Sequence, residues 1–61
     1  MSEELTYELG LQHGLESIKK WEDGKFESFP EIIKNYMKLR ELDALSDWSR
    51  GVLDAWEQNH E

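Results

Sequence analysis

Apolar residues recur along most of the chain at helical rather than strand spacing. Tyr7, Leu11, Gly14, Leu15, Ile18 and Trp21 fall on one face of a 3.6-residue helix. This spacing predicts a first helix over about 3–21, with Ser2 as its N-cap. Leu5 and Leu9 lie nearly opposite that face, either as a loose first turn or as a second apolar patch for a partner. Gly10 and Gly14 each weaken a helix by about 1 kcal/mol relative to alanine. Gly14 lies within the apolar face, where close approach of a second helix would account for it; simple tolerance is the alternative.

Asp23-Gly24 reads as a turn, with glycine supplying the positive φ. Ser28-Phe29-Pro30-Glu31 reads as a capping box with proline near the first helical position, so a helix starts there. Phe29, Ile32, Ile33, Tyr36 and Leu39 form its apolar stripe. The stripe then steps by threes through Leu42 and Leu45 and drifts to the far side of the cylinder, where Leu45, Trp48, Val52 and Trp56 take over. A break near Ala44–Ser46 explains the change of side. It gives helices over about 29–44 and 46–58, the last capped by Ser46. One long bent helix from Phe29 to Gln58 is the alternative, since nothing between Asp43 and Trp48 is Gly or Pro. On the last segment Asp43, Asp47, Arg50, Asp54, Glu57 and Glu61 line the side opposite Trp48, Val52 and Trp56.

The pattern thus predicts an all-α fold, a small helical hairpin or three-helix arrangement, in a single domain spanning 1–61. Composition adds a constraint. The chain has 61 residues, 38% of them apolar and none of them cysteine. A core this small leaves little margin over the entropy of ordering, and short chains recruit disulfides, metal or oligomerisation. Disulfides are excluded by the absence of cysteine, and no metal-ligand set is evident, so a homodimer is expected to complete the fold, with a marginal monomer of well-packed tryptophans as the alternative. No apolar run approaches the roughly 18 residues of a membrane span, and the sequence opens without a basic, apolar leader. A cytoplasmic setting is the corresponding expectation.

Fourteen Asp and Glu against seven Lys and Arg give a net charge of −7. That balance repels phosphate and argues against direct nucleic-acid binding. The basic stretch Lys34, Lys38 and Arg40 around Tyr36 reads as ordinary helix surface, with Tyr36 turned inward and Arg40 on the stripe side, where it snorkels or meets an acid. Both ends of the chain are acidic and the middle is basic, so antiparallel pairing of chains or helices would bring opposite charges together. His13 and Glu16, one helical turn apart, make at most half a metal site, and His13 reads as solvated. Asp54 and Glu57 are close enough to suggest an acid/base pair, but they fall on what reads as a solvated charged face. No nucleophile motif and no glycine-rich phosphate loop is present. Neither a catalytic residue, a cofactor nor a metal is therefore expected. Trp21, Trp48 and Trp56 are large for so small a core and read as core or dimer seam.

In size, acidity, the Met-Ser-Glu-Glu opening and the helical pattern, the chain resembles the short acidic helical accessory proteins of temperate, lambda-like phages. The resemblance implies a role in phage development through contacts with host or phage proteins, and it carries over no functional residue. The functional expectation is a non-enzymatic protein-interaction module whose partners are a second copy of itself and another protein. Leu5, Leu9, Trp48 and Trp56 are the candidate contact residues, with Asp47, Asp54 and Glu57 supplying charge complementarity. An acidic mimic of DNA and a structural subunit of a larger assembly are the alternatives.

Overall fold

A computed structural model of the chain describes residues 5–59. They form three helices and no strand: α1 (Tyr7–Glu22), α2 (Phe29–Glu41) and α3 (Asp47–Asn59). The fold is all-α, in the three-helix form.

The helix ends show which local signals decided the boundaries. α1 starts at Tyr7 rather than near Glu3, because Thr6 is the N-cap. Its backbone is extended (φ −90°, ψ 166°), and its hydroxyl accepts from the Leu9 N–H at 3.2 Å. Ser2, the expected cap, lies outside the described residues. At the other end Gly24 adopts φ +77°. The Gly24 N–H donates to the Trp21 carbonyl at 3.0 Å and the Lys25 N–H to the Lys20 carbonyl at 2.8 Å, which is a Schellman closure.

α2 starts at Phe29 as the sequence indicates, but without the capping box. Ser28 is in the helical region (φ −82°, ψ −2°), and its side chain makes no capping bond. A turn holds it there, closed by the Phe29 N–H on the Phe26 carbonyl at 3.3 Å. An N-cap side chain reaches the first-turn amides from extended backbone, which that turn denies to Ser28. The Ser28 carbonyl instead accepts from the Glu31 and Ile32 amides, at 3.1 and 3.2 Å.

The chain does break before α3, and the single bent helix is not what forms. α2 ends at Glu41, three residues earlier than expected. Asp43 takes the left-handed conformation at φ 56°, and the Asp43 and Ala44 amides donate to the Arg40 and Leu39 carbonyls at 3.0 and 2.9 Å. This is a second Schellman closure, built on aspartate where glycine is usual. Ser46 caps α3 as expected, its hydroxyl accepting from the Ser49 N–H at 3.3 Å.

Helix α3 is the centre of the molecule, and its main neighbour is α1. Gly10, Gly14, Gly51 and Ala55 are all buried where these two helices meet. A Cβ on Gly10 would lie 2.8 Å from the Trp48 carbonyl carbon and closer still to its oxygen. A Cβ on Gly51 would lie 2.7 Å from the Leu11 nitrogen and closer to the Tyr7 oxygen. One on Gly14 would meet Ala55 Cβ at 2.8 Å. The two backbones therefore touch, through small residues four apart on each helix. The contacts advance together, from Gly10 on Trp48 to Gly14 on Val52 and Ala55, so the helices run in the same general direction.

Leu53 lies on the opposite side of α3 from Gly51 and is fully buried, which leaves α2 to cover it. With Ile18, Phe29, Ile33, Val52 and Ala55 it forms the core. Phe29 at the start of α2 meets the Trp56 ring edge-on at 5.5 Å between centroids, while Arg40 near the end of α2 reaches Glu57. Both ends of α2 thus address the same turn of α3, so α2 lies across it. Leu15 and Leu39, expected on the apolar stripes, stand instead 50% and 38% exposed. The buried stripe of α1 is centred on Gly10, Gly14 and Ile18, which rotates Leu15 out of it.

Candidate interaction surface

Among the described residues, polar side chains join the helices at three places on the surface. The Tyr7 hydroxyl donates to Asp54 Oδ2, linking the start of α1 to α3. That bond, aided by burial and by the nearby carboxylate charge, holds the Tyr7 phenol above its ordinary value. Arg40 Nη1 meets Glu57 Oε1 at 2.7 Å, linking α2 to α3 in a bond open to solvent. The carboxylate raises the guanidinium further above its already high value. Trp48 Nε1 donates to His13 Nδ1 at 3.2 Å, with the rings edge-on at 5.7 Å.

These contacts settle where the sequence-derived candidates stand. Asp54 and Glu57, expected on a solvated face, are half-buried and occupied by Tyr7 and Arg40. His13, expected in solvent, is half-buried against Trp48. Trp56 belongs to an aromatic cluster, with Trp21 at 5.0 Å and Phe29 beside it. Leu9 is half-buried, while Leu5 and Asp47 lie at the surface, Leu5 at 66% exposure. The candidates are therefore not gathered into one patch by any contact among them.

Sequence reasoning missed three groups that meet candidate residues: Tyr7 for Asp54, Arg40 for Glu57 specifically, and His13 for Trp48. Only Arg40 carried a signal, its place on the stripe side among acids. It also missed the exposure of Leu42, which at 70% stands out more than Leu5. Its position on the drifting part of the second stripe was the available sign.

The surface is mixed. Exposed leucines occur before α1 (Leu5), on α1 (Leu15), on α2 (Leu39) and just after it (Leu42), and all three tryptophans keep part of their surface in solvent. No helix among the described residues is long and apolar enough to cross a membrane. No protein-family model, curated protein or solved structure matches the chain.

Proposed function

We propose that this chain is a non-enzymatic protein-interaction module that associates with a second copy of itself and, through the same kind of surface, with another protein. The observation that carries the reading is the amount of large apolar side chain left outside the core. Leu5, Leu15, Leu39 and Leu42 are 66%, 50%, 38% and 70% exposed in a chain whose apolar core is six residues among those described. Large apolar side chains left in water on so small a body are the groups an associating partner would cover.

The contact residues of this reading are Leu5, Leu15, Leu39 and Leu42, with Asp47 supplying exposed charge. Asp54, Glu57, Trp48 and Trp56 support the protomer, since each has an internal contact. This internal use also draws support away from an acidic DNA mimic, which needs its carboxylates presented outward. For the biological setting we propose, from the likeness in size, acidity and helical pattern, an accessory of phage development acting on host or phage proteins.

Sedimentation equilibrium from micromolar to near-millimolar protein tests the reading. The wild type associates over that range and its melting midpoint rises with concentration. Leu15→Glu and Leu42→Glu weaken association without unfolding the protomer, because both side chains stand outside the core. A single monomeric species at every concentration, unchanged by either substitution, refutes the self-association.

A further inference from the structure

We infer that the His13–Trp48 pair is an acid-released latch between α1 and the first turn of α3. The observation is separate from the apolar surface and does not depend on the proposed function. An indole nitrogen can only donate, so His13 Nδ1 must accept in the 3.2 Å bond, and the imidazole proton resides on Nε2. A protonated imidazole carries a proton on both nitrogens and has no acceptor left. Protonation and this bond are therefore mutually exclusive, and taking up one proton turns the contact into N–H facing N–H.

The location gives the contact its consequence. Trp48 is the second residue of α3, in the turn capped by Ser46, and its carbonyl lies where a side chain on Gly10 would be. The latch thus holds the end of α3 at which the two backbones meet. The charged residues that flank the pair along its two helices are Glu16, one turn on from His13 in α1, Lys20, a further turn on, and Asp47, which directly precedes Trp48 in α3. Among the described residues α2 gives His13 no hydrogen-bond or ring partner. Uptake of a proton at Nδ1 therefore opens the latch at the end of α3 where the two backbones touch.

The test follows the Trp48 indole N–H by heteronuclear NMR on the full chain from pH 8 to pH 5. In the wild type its resonance moves with the His13 ring titration. In His13→Asn the amide oxygen takes the place of Nδ1 and accepts at every pH, so the indole signal stays bonded and the pH response disappears. Trp48→Phe, which removes the donor, abolishes the pH-dependent change in the amides of the first α3 turn. The inference is overturned if the wild-type indole signal is unmoved while the His13 ring titrates. It is equally overturned if His13→Asn responds to pH as the wild type does. Changes that persist in both variants belong to other groups, His60 or the carboxylates, and also overturn it.

Discussion

Replacing Gly51 by alanine separates two opposite expectations. In an ordinary helix interior the change stabilises, because alanine is favoured over glycine by about 1 kcal/mol. Here the new Cβ would lie 2.7 Å from the Leu11 nitrogen and 3.0 Å from the Gly10 carbonyl carbon, and nearer still to the Tyr7 oxygen. All three are backbone atoms of α1, so no rotamer change relieves the overlap and the helices must move apart. Overpacking of this kind costs about 1–3 kcal/mol, and rigid backbone neighbours put it at the upper end. The net loss is then about 2 kcal/mol, against roughly 3–9 kcal/mol expected for the total stability of a domain this size. At about 4–8 °C per kcal/mol the melting midpoint should fall by roughly 10–15 °C. Gly10→Ala should behave alike, since its Cβ meets the Trp48 backbone. Gly14→Ala should cost less, because its closest contacts, Ala55 Cβ at 2.8 Å and the Val52 backbone at 3.0 Å, are less severe than those at Gly10 and Gly51. Thermal melting by circular dichroism at one fixed protein concentration provides the measurement. A midpoint that rises for Gly51→Ala by what helix propensity supplies would refute the touching of the two backbones.

Three further outcomes follow from the same contacts. Tyr7→Phe removes the bond to Asp54. Because the Tyr7 phenol is raised in the fold, its stabilisation is complete below about pH 10, the unfolded value, and is lost as pH rises through the folded value. Urea unfolding of wild type and variant should therefore converge at high pH, and a constant difference across that range would contradict the bond. Asp43→Gly should stabilise by about 0.5–1 kcal/mol, since glycine adopts the φ of 56° without the side-chain penalty; a loss of stability would mean that Asp43 contributes a contact of its own. Leu53→Ala should cost about 2–5 kcal/mol in urea unfolding, since the side chain is fully buried; a change below about 1 kcal/mol would show that α2 does not close over it.

Much of the architecture was legible because its causes are local. Helical periodicity located all three helices, the change of side after Leu39 located the break, and Ser46 marked the last start. Where a boundary depended on a neighbouring turn, the sequence was insufficient. Ser28 had the right chemistry for a cap, yet the turn from Phe26 set its backbone. Asp43 carried no breaker signal of the Gly or Pro kind and still closed α2. The α1–α3 seam was half legible. Gly14 suggested close approach, but Gly10 and Gly51 gained their meaning only from one another, because a glycine in a helix is a cost until a second backbone is known to lie against it. The spacing of Gly10 with Gly14 and of Gly51 with Ala55 was the available signal. The surface was least legible. No periodicity distinguishes an acid that meets water from one that meets Tyr7 or Arg40, since that depends on how the helices cross.

The seam also explains how a chain with six buried apolar residues among those described holds three helices together. Backbones in contact bring many atoms within dispersion range without requiring bulky side chains between them. Gly10, Gly14, Gly51 and Ala55 therefore achieve closeness at the α1–α3 junction with little core volume, and the large side chains are used elsewhere. Trp21, Trp56, Phe26 and Phe29 gather where α2 begins, and Leu53 and Ile33 fill the centre of its crossing. At its other end α2 is held by Arg40 on Glu57, a pair 44% and 43% exposed, of a kind worth about 0–1 kcal/mol. That weakly held end also carries Leu39 and leads into Leu42. The division of labour is thus between a backbone-tight pair, α1 and α3, and a third helix anchored by aromatics at one end and exposing leucine at the other. An associating partner covering that end would supply the apolar contact that the protomer's own sequence leaves out.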